Sequence, residues 1–449
     1  MRILFVNPPI YDVAALDLWA KPLGLLVLAA AARMCGCDVA LLDFLDVHLF
    51  NDCDARAGLR PPVHKQYGIA QYPKQPAEWP LPVPLHSRTY FRYGISREHA
   101  LQILAGMEQP DIIVVTSHFT YTYPGVQDAI RIVRGAFPRV PVWLGGLYAQ
   151  LCPDHARQHS GADEIIHTPD VSAFLTRVAA HAPGMHLPPH AFARMADWPV
   201  PALDLYPQLS YIPVRTSRGC VNACAYCATP YLCPQFEERD PVRAAEELLE
   251  WCGRFCVRDI AFYDDALLVH AETRLLPLLA RAGAERHDLR WHTPNGLHLR
   301  YMTPQLAERL HAAGFTTLRF GLETINRARL AATGAKYAHE HVARAMHALR
   351  SAGFAPHQIG VYILMGLPGQ SAEEVRSTIL YVREYFGIKA KLAEFSPVPK
   401  TALWARAVAE SSLPIADEPL WHNNSLLPLR SRIFTDEVIA ELRALAVRA

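Results

Sequence analysis

The chain has 449 residues, which is too long for one ordinary hydrophobic core and predicts two or three domains. Hydrophobic residues make up 51% of the chain, so a folded globular protein is expected and a disordered one is excluded. The 44 Lys and Arg residues nearly balance the 43 Asp and Glu residues. This balance argues against nucleic acid or an acidic membrane surface as the partner.

The first part of the chain alternates apolar strands with apolar helices, the latter at about Pro22–Arg33 and Val126–Phe137. Such alternation predicts an α/β fold with a doubly wound, Rossmann-like parallel sheet, here over residues 1–185. The N-terminus reads as a strand and not as a signal peptide. The predicted strands are Arg2–Val6, Asp38–Leu42, Asp111–Ser117, Val140–Leu144 and Ala162–Ile166.

Doubly wound sheets bind ligands at the carboxyl ends of their strands. The candidate loops are therefore Asn7–Tyr11, Ser117–Pro124 and Gly145–Gln150. An insertion at about 47–97, rich in Pro, Tyr and His, interrupts the strand pattern. We expect it to be an irregular lid or interdomain cover, since long loops without structure in compact domains are usually functional.

The Pro- and His-rich stretch at 186–207 predicts a linker. Six further strand–helix units predict a partial (β/α)6 barrel over 208–405, and a short C-terminal cap follows at 406–449. Chemistry in such barrels gathers at the carboxyl ends of the strands. The predicted strands are Tyr211–Thr216, Asp259–Tyr263, Leu289–Thr293, Thr317–Leu322, Gln358–Met365 and Leu392–Ser396.

Three cysteines directly after the first barrel strand are the most informative feature of the chain. Cys220, Cys224 and Cys227 have the spacing C-x3-C-x2-C. Three thiolates on one loop can hold three irons of a [4Fe–4S] cluster and leave the fourth iron open to a chelating ligand. A zinc site is the alternative, but it usually needs a second pair of ligands, and none follows. Disulfides are not expected because nothing marks the chain as secreted.

This cysteine run resembles the signature of the radical S-adenosylmethionine (SAM) superfamily. The resemblance implies that the amino and carboxylate groups of SAM chelate the open iron, and that one electron then cleaves SAM to methionine and a 5′-deoxyadenosyl radical. It also implies a low-potential electron donor such as flavodoxin or ferredoxin. A reducing cytoplasm is the expected location, since the cluster is oxygen-labile.

The second barrel strand ends at Asp264 and Asp265, where this family contacts the amino group of SAM. Carboxylates suit an ammonium partner, although both residues also fit a helix N-cap before Ala266. On the third strand, His292 is either a core histidine or a proton carrier, and Asn295 is expected at the barrel top.

The later strand ends also resemble the family. Gly321, Glu323 and Thr324 match its G-x-E-[ST] run, which implies contacts with the ribose and methionine part of SAM. Gly366 begins a turn in which a glycine lets the backbone approach a ligand closely.

The first domain resembles the cobalamin-binding domain found before many radical SAM barrels. The matching features are Asn7-Pro8-Pro9, the helix start at Pro22 and the pair Gly145-Gly146. The resemblance implies a corrin over the strand ends, contacted by the residues Asn7, Ser117, Thr120, Gly145 and Gly146. Two departures stand out: the D-x-H-x-x-G motif is absent, and His167–Asp170 replaces an acidic run.

Together these features predict a cobalamin-dependent radical SAM methyltransferase. It would methylate an unactivated carbon of a small molecule by way of the 5′-deoxyadenosyl radical and methylcobalamin, with [4Fe–4S], SAM and cobalamin as cofactors. The alternatives are a non-methylating radical enzyme that rearranges, cyclises or couples its substrate, and a non-catalytic cluster protein.

Overall fold

A computed structural model describes the protein at residues 1–82, 88–168, 170–182, 192–426, 429 and 433–447. The chain divides into two compact units. The first comprises Met1–Ser210 with Asp417–Leu420, and the second comprises Tyr211–Ala416 with Trp421–Ala449. Residues 83–87 of the predicted insertion, Pro169, and residues 183–191 at the start of the predicted linker lie outside the described residues. Among the described residues, no helix combines the length and the apolar character needed to cross a bilayer.

The first unit begins at the N-terminus. Its strands are β1 (Arg2–Asn7), β2 (Ile10–Asp12), β3 (Asp38–Asp43), β4 (Val63–His64), β5 (Ala70–Gln71), β6 (Lys74–Ala77), β7 (Tyr90–Tyr93), β8 (Ile112–Val115), β9 (Val142–Leu144) and β10 (Glu164–Ile165). Its helices are α1 (Leu23–Met34), α2 (Asp52–Arg56), α3 (Arg97–Ala105), α4 (Tyr123–Ala136), α5 (Leu147–Leu151), α6 (Pro153–His159) and α7 (Val171–His181).

The central sheet of this unit has five strands in the order β10-β9-β8-β1-β3, all parallel. Successive residues of a strand point to opposite faces. In β1 both faces are apolar and buried, with Ile3 and Phe5 on one side and Leu4 and Val6 on the other. Burial on both faces is what parallel sheets require, and the predicted α/β parallel fold of this domain is confirmed.

The insertion has more regular structure than its composition suggests. β2, β7 and β6 form an antiparallel sheet, with Ile10 opposite Tyr93 in the register. Tyr72, Tyr90 and Tyr93 are buried, so the aromatic residues that made the stretch look irregular supply a small core of their own.

The second unit carries the cysteine loop. Its strands are β11 (Ile212–Val214), β12 (Ser217–Arg218), β13 (Glu237–Glu238), β14 (Asp259–Phe262), β15 (Arg290–His292), β16 (Phe315–Glu323), β17 (Ile359–Met365) and β18 (Ala390–Glu394). Its helices are α8 (Thr229–Leu232), α9 (Pro241–Phe255), α10 (Leu275–Glu285), α11 (Pro304–Ala312), α12 (Arg327–Ala332), α13 (His339–Ser351), α14 (Ala372–Phe386), α15 (Trp404–Glu410) and α16 (Asp436–Val447).

Six of these strands form one parallel sheet in the order β11-β14-β15-β16-β17-β18. Strand order follows chain order, with a helix after each of the first five strands, as in a partial barrel. The core between neighbouring strands includes a stack of Phe262, Trp291 and Phe315, with ring centroids 5.5 to 6.3 Å apart. The predicted six-stranded barrel is confirmed, and the carboxyl ends of its strands bring together the segments considered next.

Two glycines of α4 test how closely this helix approaches the connection between β1 and β2. A Cβ on Gly125 would lie 1.8 Å from the carbonyl oxygen of Pro9, whereas one on Gly135 would meet nothing within 4 Å. We expect Gly125→Ala to lower the free energy of unfolding by about 3 kcal/mol or more through overpacking. Gly135→Ala, on the exposed side of the same helix, should raise it by about 0.5–1 kcal/mol. Denaturant unfolding of both variants checks this, and equal effects would contradict it.

Candidate cluster and cofactor site

The cysteine loop leaves the barrel immediately after β11, through the short hairpin of β12 and β13. Gly219 has a φ of +79°, and a Cβ there would lie 2.4 Å from the carbonyl oxygen of Gln235. Only glycine fits this turn, because it adopts positive φ without penalty and has no side chain to collide with the returning strand. The Arg-Gly-Cys run thus lets the chain turn at the end of β12, directly before Cys220.

Two backbone hydrogen bonds hold the loop at its centre. Ala225 N–H donates to the carbonyl of Thr333 at 3.1 Å, and Leu403 N–H donates to the carbonyl of Ala225 at 2.9 Å. Gly334, with a φ of +108°, lets its segment approach, since a Cβ there would lie 3.2 Å from the Cα of Cys224. Segments far apart in the sequence therefore fix the spacing of the cysteines.

The three thiols are free, and two of them receive backbone donors suited to thiolates. Asn222 N–H donates to Cys220 Sγ at 3.4 Å, and Thr229 N–H donates to Cys227 Sγ at 3.4 Å. Burial raises the pKa of Cys220 and Cys224, so binding of iron must displace their protons. Hydrogen bonds to cluster-ligating sulfurs are a known means of setting cluster potential.

This donor set fits a cluster better than a single ion. Among the described residues, no group of three or more His, Cys, Asp or Glu side chains is placed to share one metal ion. A [4Fe–4S] cluster instead binds each thiolate to a different iron, so its ligands need to surround a body larger than one ion. The zinc alternative therefore gains no support from the geometry.

A buried ion pair lies beside Cys224. Lys336 Nζ is 2.5 Å from Glu323 Oε1, and the same ammonium lies 6.0 Å from the ring centroid of Tyr226. The Tyr226 hydroxyl hydrogen-bonds to Cys224, and burial raises the pKa of Tyr226. A Cβ on Gly321 would lie 2.5 Å from Glu323 Oε1 and 2.6 Å from Lys336 Nζ, so the glycine of the G-x-E run makes room for the pair.

Glu323 has a φ of +62°, in the left-handed region that non-glycine residues seldom occupy. The register between β16 and β17 shifts between Gly321 and Glu323. Backbone strain of this kind costs on the order of 1–3 kcal/mol and concentrates at functional sites. The strained conformation points to a role for Glu323 beyond packing.

The other side of the loop faces His298 and Asp265. His298 Nε2 lies 3.9 Å from Cys220 Sγ, and burial lowers the pKa of this histidine to about 4. Asp265 accepts a hydrogen bond from Gly219 N–H at 3.2 Å, and burial raises its pKa. A neutral imidazole and a partly buried carboxyl therefore flank Cys220.

Asp264 has a different environment from its neighbour. Its Oδ1 accepts from Thr216 Oγ1 at 2.7 Å and Ser217 Oγ at 2.6 Å, and it forms an ion pair with Arg274 at 3.0 Å. The side chain is completely buried. Its lone pairs are occupied within the protein, so Asp264 positions the start of the cysteine loop, and Asp265 is the acid of this pair that borders the cysteines.

The remaining predicted barrel residues have mixed surroundings. Asn295 is exposed and donates to the carbonyls of Tyr263 and Asp264. Thr324 is buried and donates to Glu374 at 3.0 Å, which ties it to α14. Gly366 is buried with a φ of +87° and donates its N–H to Gln370 at 2.8 Å.

His292 is a fully buried core residue. Its ring nitrogens lie 3.0 Å from Thr317 Oγ1 and 2.9 Å from Asp259 Oδ1, and burial lowers its pKa. Both nitrogens are engaged inside the barrel wall, which favours the core histidine over the proton carrier.

In the first unit, Ser117 and Gly146, two of the residues predicted to contact cobalamin, are engaged with other parts of the protein. Ser117 Oγ donates to the carbonyl of Gly145 at 2.7 Å and accepts from Tyr148 N–H at 3.1 Å. Gly146 has a φ of +87°, and a Cβ there would lie 2.4 Å from the backbone of Ser117. Gly146 therefore allows the segment after β9 to approach the segment after β8, whereas a Cβ on Gly145 would meet only Ile166 at 3.9 Å.

Two buried polar atoms at the neighbouring carboxyl ends of β1 and β8 lack partners among the described residues: Asn7 Oδ1 and His118 Nε2. Asn7 uses its Nδ2 to donate to Asp43 at 2.7 Å. Thr120 is buried close by in the chain, two residues after His118. Orphaned polar atoms at strand ends fit a bound ligand with polar groups, so this end of the sheet can accept a cofactor such as cobalamin.

Lys336, His298 and His118 were not predicted from the sequence. Lys336 lies 13 positions after Glu323 on a loop, and no helix or strand period links them. His298 lies two positions after a glycine turn with no motif around it. The one available signal was position: His118 falls within the candidate loop Ser117–Pro124 and His298 follows the third predicted barrel strand. Lys336 lies after α12 and carries no such signal.

Each of the three cysteines should be needed for the cluster. We expect Cys220→Ala, Cys224→Ala and Cys227→Ala each to lose the [4Fe–4S] absorption and electron paramagnetic resonance signals after anaerobic reconstitution, because each change removes one iron ligand. Cys252→Ala is the control, since this buried cysteine lies in α9, outside the cysteine loop. An intact cluster in all three loop variants would contradict the assignment.

Comparison with known proteins agrees with this site. Residues 214–382 match the family described as the radical SAM superfamily. An uncharacterised methyltransferase of Pyrococcus horikoshii is 23% identical over 400 residues, which cover 79% of this chain and 84% of the relative. GTP 3′,8-cyclase 2 of Pseudomonas aeruginosa is 32% identical over 164 residues, which cover 35% of this chain and 47% of the relative.

Two solved structures share the fold over nearly the whole chain. The radical SAM methyltransferase TsrM of Kitasatospora setae, solved with tryptophan substrate and a SAM analogue, has a TM-score of 0.67 at 16% identity, covering 99% of this chain and 88% of that chain. The cobalamin-dependent SAM radical enzyme OxsB has a TM-score of 0.57 at 11% identity, covering 99% of this chain and 60% of that chain. The family match, at residues 214–382, falls on the barrel that carries the three cysteines, and this barrel is similar to the radical SAM superfamily.

Proposed function

We propose that this protein is a cobalamin-dependent radical SAM methyltransferase that methylates an unactivated carbon of a small molecule. The main support is the three-cysteine loop after β11, which backbone hydrogen bonds to distant segments hold in place. The chain also contains a parallel-sheet domain in which buried polar atoms at the strand ends lack hydrogen-bond partners among the described residues. The fold shared with TsrM and OxsB, and the methyltransferase named among the relatives, support the same function.

In the barrel, Cys220, Cys224 and Cys227 would hold the cluster. When bound, the cluster supplies the electron that cleaves SAM. The chain's own contribution is electrostatic: Lys336 and Glu323 present opposite charges beside Cys224, in a buried setting where charges interact strongly. An ammonium and a carboxylate of SAM would meet complementary partners there.

In the first domain, the strand ends around Asn7 and His118 would hold cobalamin, with Thr120 and Gly145 on the same loops. When bound, cobalamin supplies the carrier of the methyl group. The protein's task is to orient the cofactor and exclude water from it.

The second candidate is a radical SAM enzyme that rearranges, cyclises or couples its substrate without methyl transfer. The similarity to a GTP 3′,8-cyclase over 164 residues favours it. In either case we infer a low-potential flavodoxin or ferredoxin as electron donor and a reducing cytoplasm as location, because an open iron site is oxygen-labile.

The decisive experiment is anaerobic purification with cobalamin supplied, followed by measurement of iron, cobalt and the corrin absorption. Reduced protein is then given SAM with a CD3 methyl group. We expect stoichiometric cobalt, formation of 5′-deoxyadenosine, and transfer of the CD3 label to the bound corrinoid. Iron with SAM cleavage but without cobalt would exclude the methyltransferase and leave the non-methylating radical enzyme. Absence of SAM cleavage with an intact cluster would contradict both.

Glu323 and Asp264 should respond differently to loss of charge. Glu323→Gln should weaken SAM binding and should lower the free energy of unfolding by less than Asp264→Asn does, because the Glu323 and Lys336 side chains are 13% and 10% exposed and solvent can partly compensate the broken pair. Asp264→Asn should lower the free energy of unfolding by about 3 kcal/mol, because it breaks a buried ion pair with Arg274. Isothermal titration with SAM and denaturant unfolding separate the two. Unchanged SAM affinity in Glu323→Gln would show that SAM binds elsewhere.

A further inference from the structure

Three polar side chains lie on neighbouring strands of the barrel: Arg319 on β16, Tyr362 on β17 and Lys391 on β18. In the register, Arg319 pairs with Gly360, and Tyr362 pairs with Lys391. Residues paired across parallel strands point to the same face of the sheet, as do residues two positions apart on one strand. Arg319, Tyr362 and Lys391 therefore share one face.

This face is the inner face of the barrel. Glu394 lies three residues after Lys391 and so points to the opposite face, where it forms an ion pair with Arg443 of α16. On β17, Val361 is buried on the side that the helices cover, whereas the adjacent Tyr362 is only partly buried. The three polar side chains therefore point into the barrel.

The guanidinium of Arg319 has donors to spare. Its Nη1 donates to the carbonyls of Leu318 at 3.1 Å and Gln358 at 3.3 Å. Its Nε and Nη2 have no hydrogen-bond partner among the described residues and are not sealed from solvent. Gly360 makes room for this side chain, since a Cβ there would lie 2.7 Å from Arg319 Cδ.

No carboxylate of the described residues lies close enough to act on the charge of Arg319 or of Lys391. Burial lowers the pKa of Arg319, and burial together with the charge of Arg319 lowers the pKa of Lys391. Two like charges in a partly desolvated setting repel each other unless an anion compensates them. Acids on neighbouring strands already pair with other cations: Asp259 with Arg290, and Glu323 with Lys336.

The position of these cations separates them from the cysteine loop. Arg319 lies four residues before Glu323 on β16, which is about 13 Å at 3.3 Å per residue. The ion pair of Glu323 and Lys336 lies beside the cysteines, where SAM is expected, whereas Arg319 and Lys391 lie deeper in the barrel. A molecule other than SAM is therefore the better match for them.

We propose that Arg319 and Lys391 bind the anionic group of the substrate, a carboxylate or a phosphate, with a further hydrogen bond from the Tyr362 hydroxyl. The planar guanidinium suits the two oxygens of either group. The substrate is then a small acid whose charged end is anchored inside the barrel and whose remaining part extends toward the carboxyl ends of the strands. Assigning the anion to the substrate rests on the proposed function, whereas binding of an anion does not.

The test uses the full chain, anaerobic and cluster-loaded, and follows its unfolding temperature. Sodium chloride is replaced stepwise by sodium phosphate or by sodium acetate at constant ionic strength, so that screening stays the same. The variants are Lys391→Gln, Arg319→Gln and Arg319→Lys, the last of which keeps the charge. Arg376→Gln is the control, since Arg376 lies on α14 and pairs with Glu373 and Glu441.

We expect a saturable rise of the unfolding temperature, and the anion with the lower midpoint identifies the substrate as a carboxylic acid or a phosphate ester. Lys391→Gln and Arg319→Gln should each weaken the apparent affinity about tenfold, as loss of one charge-assisted hydrogen bond implies. Arg319→Lys should keep most of the affinity, and Arg376→Gln should bind like wild type. Without added anion, Lys391→Gln should unfold at the wild-type temperature or higher, because it removes an uncompensated charge.

Three results would overturn the inference. One is the absence of a saturable shift with either anion in wild type. Another is wild-type anion affinity in both Lys391→Gln and Arg319→Gln. The third is a tenfold loss of SAM affinity in Lys391→Gln, since it would assign these cations to the carboxylate of SAM. Absence of cobalt or of SAM cleavage in wild type, with anion binding intact, would instead overturn the proposed function, so the two failures are distinguishable.

Discussion

The buried carboxylate of Asp264 is the interaction on which the barrel site depends. It receives hydrogen bonds from Thr216 and Ser217, the last residues before the cysteine loop, and is neutralised by Arg274. Strands β11 and β14 pair only through three residues each, so the sheet alone holds this edge weakly. The carboxylate completes the connection where the loop departs, and a buried charge keeps its place only while all its partners remain.

The cysteine loop is also held in place by residues that lie far from it in the sequence. Thr333 and Leu403 hold Ala225, and Gly334 lets the segment after α12 pass close to Cys224. The same segment carries Lys336 to Glu323. One loop therefore both holds the cysteine segment in place and brings the Lys336 ammonium beside it, which couples the geometry of the three cysteines to the Lys336–Glu323 pair.

The first unit uses its strand ends in two ways. Gly146 and Ser117 close one strand end against another through the backbone, which stabilises the sheet edge. Asn7 and His118 leave polar atoms unpaired at the adjacent ends. A parallel sheet concentrates such groups because all its strands finish at one edge, so paired and unpaired polar groups lie on neighbouring residues there.

The α/β architecture, the six barrel strands and the three candidate cysteines can be predicted from the sequence, because strand periodicity and the C-x3-C-x2-C spacing are local properties of the chain. Folding is needed to tell which of two adjacent acids borders the cysteines, since Asp264 pairs with Arg274 whereas Asp265 accepts from Gly219. The same holds for Lys336, His298 and His118. Their surroundings are built from segments far apart in sequence, and burial and pairing across such distances leave no local pattern to read.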